Sequence, residues 1–80
     1  MVQGVGFRYF TQKQASLHSI NGWVRNCPDG AVEIEAEGDE DNLSFFIGAI
    51  EQGPSFSRVT KIDISSLDKP RGLRGFDITY

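Results

Sequence analysis

Cysteine and histidine are almost absent: Cys27 and His18 are each the sole residue of their kind among 80. One cysteine forms no internal disulfide, and a free thiol suits a reducing, cytoplasmic setting. Two such residues fall short of the three or four convergent ligands of a zinc site, so no metal is expected. A Cys–His nucleophile pair lacks an evident base, because Cys27 precedes Pro28 in a turn. Basic residues are also few, and the formal net charge is −3. Nucleic-acid binding draws on a basic stripe and counterion release, so this balance speaks against it. Lys69, Arg71 and Arg74 cluster near the C-terminus, where a solvated loop accounts for them. No apolar run approaches the roughly 18 residues that span a bilayer. The opening Met1-Val2-Gln3-Gly4 has neither the basic nor the apolar region of a secretory signal.

What is present suits one globular domain over residues 1–80, with 39% hydrophobic and 11% aromatic residues. A core of this size is thin, so each element matters. The spacing predicts a first helix over residues 7–18, with Phe7, Phe10 and Leu17 on one stripe interrupted by Gln14. Ala15 and His18 lie at its edge, and residues 19–21 end it. Residues 22–26 form a strand, followed by the turn Cys27-Pro28-Asp29-Gly30. Residues 31–37 alternate, placing Val32, Ile34 and Ala36 inward and Glu33, Glu35 and Glu37 outward, which completes a hairpin.

A second helix follows, capped by Asp39, with Glu40 and Asp41 at the positive end of its dipole. Leu43, Phe46, Ile47 and Ile50 make its apolar stripe, and Gly53-Pro54 stops it. Residues 59–64 read as a strand, 68–75 as a loop, and Phe76, Ile78 and Tyr80 alternate in a last strand. The order is loop, α, β, β, α, β, β, an α+β sandwich of two helices on one sheet.

Chemistry has few places to reside. In Val2-Gln3-Gly4-Val5-Gly6-Phe7-Arg8, two glycines allow close backbone approach to a ligand. The segment leads into a helix N-terminus, where unpaired N–H groups and the dipole favour an anion. Arg8 adds a planar cationic fork suited to phosphate oxygens. On Gly-x-Gly alone, a glycine-bearing terminus with a solvated arginine is the simpler account. Asn26, at a strand end, is either turn chemistry or an amide able to hold a water.

The segment 2–8 followed by Gly22-Trp23-Val24-Arg25-Asn26 resembles the paired signature of the acylphosphatase family. The Asp29-Gly30 turn, Ala36-Glu37-Gly38 and the closing Phe76-Asp77-Ile78-Thr79-Tyr80 are similar too. The resemblance implies a ferredoxin-like βαββαβ sandwich, its antiparallel sheet carrying two helices on one face. It implies metal-free hydrolysis of small acyl phosphates, without cofactor, by a monomer. The backbone amides of Gln3, Gly4, Val5, Gly6, Phe7 and Arg8 would cradle the phosphate. The Arg8 guanidinium would complete the clamp and Asn26 would orient the attacking water. Phosphate or sulfate is the expected ligand.

Family members carry a central strand before this loop, and Met1 stands where the loop's leading, usually basic, residue would be. Without that strand, unpaired backbone groups on its neighbours are expected, together with a loop tethered at one end. The alternative reading is therefore a truncated, non-catalytic fragment that binds anions weakly. A carbamoyl-phosphate domain of a larger maturation protein is disfavoured by the chain's end at Tyr80. His18-Ser19 replaces the family's apolar residue and glycine, leaving a structural, half-buried imidazole against the sheet.

Overall fold

The computed structural model describes residues 3–53, 56–67 and 72–79. The elements are α1 (Gln3–Leu17), β1 (Asn21–Asn26), β2 (Val32–Gly38), α2 (Glu40–Glu51), a single 3-10 turn (Phe56–Arg58), β3 (Val59–Ser66) and β4 (Phe76–Thr79). Tyr80, the expected end of the last strand, lies outside the described residues.

The hairpin forms as its pattern requires. Gly22, Val24 and Asn26 alternate along the face that meets the helices, and β2 buries Val32, Ile34 and Ala36 beside them. Glu33 and Glu35 face outward, with Glu35 accepting from Trp23 Nε1 at 3.0 Å. Glu37 differs from expectation, being 3% exposed. It pairs with Asn21 on one side and Ser65 on the other, so neighbouring strands cover it where an edge glutamate would be wet. The Asp29 carboxylate closes the hairpin turn by accepting from the Ala31 N–H.

α2 follows from its cap and stripe. Asp39 Oδ1 accepts from the Asp41 N–H, and Leu43, Phe46 and Ile50 are buried, with Ile47 partly so. α1 departs from the sequence reading in extent and in face. Its buried residues are Phe7, Arg8, Thr11 and Ala15, whereas Leu17 is 64% exposed and Phe10 only partly covered. At about 100° per residue, Phe7, Thr11 and Ala15 hold one line, while Leu17 lies more than a quarter turn away. Thr11 takes a core position because its hydroxyl donates to the Phe7 carbonyl at 2.8 Å, so no polar atom is orphaned. His18 stacks on the Phe45 ring of α2, with centroids 6.1 Å apart, instead of lying against the sheet.

The four strands form one sheet in the order β3-β2-β1-β4. The expected antiparallel sheet is in fact mixed: β1 and β2 are antiparallel, while β2–β3 and β1–β4 are parallel. α2 carries the chain back to the end where β2 began, so β3 must run parallel to it. The expected unpaired neighbours of a lost central strand are not seen either. β2 and β3 pair directly from Val32↔Val59 to Gly38↔Ser66, with one bulge after Val32.

The link from α1 to β1 sets how the helix lies. The Ile20 N–H donates to Ala15 O and the Ser19 N–H to Ser16 O, while Ser19 takes φ 55°. This is a Schellman ending, in which glycine is the unstrained residue. Three residues after Ser19, Gly22 is obligatory: it has φ +143°, and a Cβ there would stand 1.9 Å from the Glu35 carbonyl oxygen. Ser19→Gly is expected to raise stability by about 0.5–1 kcal/mol. Gly22→Ala is expected to lower it by at least about 2 kcal/mol. Urea denaturation of the two variants reads both signs.

Candidate functional site

α1 begins at Gln3, so residues 3–6 are its first turn and not the loop expected from the glycines. The first four amides of a helix have no intrahelical acceptor, and they sit at the positive end of the dipole. Among the described residues these are the amides of Gln3, Gly4 and Val5. The amides of Gly6, Phe7 and Arg8 lie further in, within the i→i−4 ladder. Phe7 instead anchors the turn, with its side chain 2% exposed and tilted against Phe10 at 6.4 Å. A Cβ on Gly6 would meet nothing within 4 Å, so the space beside this turn is open.

Arg8 lies on the core-facing stripe at 6% exposure. A guanidinium held away from bulk water interacts more strongly with an anion than one on the surface. A guanidinium offers its donors in a planar fork.

Asn26 ends β1, on the same sheet face as Gly22 and Val24, which is the face covered by α1. Its Oδ1 is shielded from solvent and accepts no hydrogen bond among the described residues. α1 returns through the tight Ser19-Ile20 turn into β1, so its N-terminal end lies over the C-terminal end of that strand. The Gln12 amide, which donates to Phe76 O at 3.0 Å, fixes the middle of the helix over the start of β4, beside Gly22. Arg8 is one turn from Gln12 toward the N-terminus, and Asn26 is four residues from Gly22 toward the strand end. The first turn of α1 and Asn26 thus lie toward one end of the α1–β1 layer pair, with Arg8 between that turn and Gln12 along the helix.

An open cleft of about 390 Å³ lies beside Asn26, lined also by Arg25, Cys27 and Pro28. Arg25 faces outward, paired with Glu33 and over the Trp23 ring at 5.9 Å. The hydrogen bond and charge of Glu33 raise the Arg25 pKa above its ordinary value. The arginine's own titration therefore lies further above any working pH than in the unfolded chain. Residue typing alone does not single out Thr11 or the Trp23–Arg25–Glu33–Glu35 cluster. Thr11 carries a signal only in hindsight, as the polar member of the Phe7-Thr11-Ala15 line.

Among the described residues no three or more His, Cys, Asp or Glu side chains stand together as a metal site. No helix of the described residues is long and apolar enough to cross a membrane.

The Acylphosphatase family model matches residues 1–78. The acylphosphatase of Bacillus licheniformis is 49% identical over 99% of this chain and 88% of its own length. That of Thermococcus kodakarensis is 44% identical over 96% of this chain and 84% of its own. The crystal structure of acylphosphatase from Bacillus subtilis superposes with a TM-score of 0.77 at 47% identity, over 99% of this chain and 88% of that one. Similarity of this extent disfavours the fragment reading and supports a hydrolase with a small acyl phosphate as substrate. The chain belongs to the acylphosphatase family.

Proposed function

We propose that residues 1–80 form one catalytic domain that hydrolyses small acyl phosphates to carboxylate and inorganic phosphate, with Arg8 and Asn26 as its catalytic residues. The observation that carries this assignment is the Asn26 Oδ1, shielded from solvent and accepting no hydrogen bond among the described residues. A buried carbonyl oxygen without a donor is costly, and a water bound there removes that cost. The same water is then held in place as the nucleophile.

The phosphate-binding segment runs from Gln3 through Gly4, Val5, Gly6 and Phe7 to Arg8. The helix-terminal amides and the Arg8 fork receive the three non-bridging oxygens, and Phe7 fixes the turn that carries them. In the loose transition state of phosphoryl transfer, charge spreads over those oxygens, where preorganised donors stabilise it most. The water on Asn26 attacks phosphorus as the bond to the acyl oxygen breaks. The carboxylate that leaves has a conjugate acid with a pKa of about 4, so it departs without a general acid. The attacking water loses its proton to the phosphate oxygens or to solvent. Neither a metal nor a protein nucleophile is needed, because positioning and charge stabilisation meet the demands of the reaction. Inorganic phosphate and sulfate fit the same cradle as ligands. The catalytic unit is the single chain, and the free thiol of Cys27 supports a cytoplasmic setting.

Turnover of benzoyl phosphate in excess EDTA is expected to persist in the parent chain. In Asn26→Ala, kcat should fall about 100-fold or more with KM little changed. Arg8→Ala should lose both binding and turnover, and Arg8→Lys should not restore them. Turnover surviving in a folded Arg8→Ala or Asn26→Ala protein would sink the assignment. In a separate thermal-unfolding series, phosphate should raise Tm in the parent and in Asn26→Ala but not in Arg8→Ala.

A further inference from the structure

An open groove of about 640 Å³ lies between α1 and the start of β4. Tyr9, Gln12, Lys13 and Ser16 form its helix wall, at the i, i+3, i+4 and i+7 spacing that puts side chains on one flank. Asn21 and Phe76 stand on its sheet side. The two walls are tied together. The Gln12 amide donates to the Phe76 carbonyl, and Asn21 Oδ1 accepts from the Gly75 N–H, each at 3.0 Å. The Phe76 ring rests edge-on against Phe46 of the core at 5.8 Å. A groove held in this way is ready for a ligand without rearrangement.

Two residues of the helix wall do nothing for the fold. Tyr9 is 59% exposed, although Phe7, Thr11 and Ala15 of the same helix are buried. Lys13 is exposed and makes no ion pair among the described residues. The charge of the groove also runs against that of the chain. The chain has 11 acidic and 8 basic residues, yet no Asp or Glu lines the groove and Lys13 is its one charged lining residue among those described. A wall of this kind favours an anion.

The groove begins beside the phosphate-binding segment. Tyr9 follows Arg8 directly, and helix side chains lean toward the N-terminus, so its ring reaches back along the first turns of α1. Lys13 is one turn further on, with about 5–6 Å between Cβ atoms at that spacing. In-line displacement puts the leaving group on the side of phosphorus away from the attacking water. Asn26 holds that water on the sheet side, so the acyl group departs toward solvent, the side on which Tyr9 stands exposed. Resting on the hydrolase reading above, we propose that the Tyr9–Lys13 flank of this groove is the subsite for the acyl group. Tyr9 packs against the acyl group and the Lys13 ammonium pairs with a carboxylate at its far end. The favoured substrates are acyl phosphates with a second, distal carboxylate. Lys13 is a specificity residue: it touches none of the reacting atoms and selects among substrates by charge.

Benzoyl phosphate and 4-carboxybenzoyl phosphate share the reacting group and differ by one distal carboxylate, so the ratio of their kcat/KM values tests the subsite. The full chain should favour the carboxylated substrate by about fivefold, chiefly through KM. Added salt should shrink that preference. The ratio should fall toward one in Lys13→Gln, invert in Lys13→Glu and persist in Lys13→Arg, with circular dichroism reporting the fold of each variant. A parent ratio of one or less overturns the subsite, as does a parent-like ratio in folded Lys13→Gln or Lys13→Glu. Either result leaves the hydrolase reading standing, because benzoyl phosphate is still turned over. Absence of benzoyl phosphate turnover from the parent overturns both.

Discussion

The packing of α1 onto the β1–β4 side of the sheet is the constraint on which the rest depends. Phe7, Thr11 and Ala15 are each 2% exposed or less, and they leave no freedom for the helix to roll. Arg8 rides on that line and is carried into the layer between helix and sheet. A guanidinium placed there by packing keeps its aim without spending rotamer entropy at each encounter with an anion. The same packing aims the helix terminus over the end of β1. A change that loosened Ala15 or Thr11 would therefore act on the chemistry through position, without touching a reacting atom.

The economy of the site follows from the reaction. A carboxylate leaves readily, so the protein must hold a phosphoryl group and one water in line and meet developing charge. In the proposed site, backbone amides, one guanidinium and one side-chain amide would do this, and each comes from an element that the core already fixes. A chain with one cysteine and one histidine can thus carry an enzyme.

The hairpin and α2 were legible from the sequence because their signals are local. Strict alternation in residues 32–36 and the cap at Asp39 ahead of Leu43, Phe46 and Ile50 state a face and a start. α1 was read less well for two physical reasons. Glycine is a poor helix former in an interior, so Gly4 and Gly6 argued for a loop, yet the first turn of a packed helix tolerates them. An apolar stripe also cannot announce Arg8 and Thr11, whose polar ends are accommodated only in the folded state. Strand direction was not legible at all, since nothing local in residues 59–66 says that their partner is β2 or that they run parallel to it. The family resemblance carried Arg8 and Asn26 forward as candidates, and the structure adds that both occupy the layer between α1 and the sheet.

β1 has two very different neighbours, which matters for how the chain assembles. Its pairing with β2 closes over the few residues between Asn26 and Val32, whereas its pairing with β4 joins Gly22 to Phe76 across most of the chain. By loop-closure entropy the second contact is costlier by about 2 kcal/mol, before any gain from packing. The element bearing Asn26 is thus templated early by a local hairpin and completed late by a distant strand. The β4 side of the sheet is the part whose formation most limits the speed of folding, and the part that opens first when the fold is stressed.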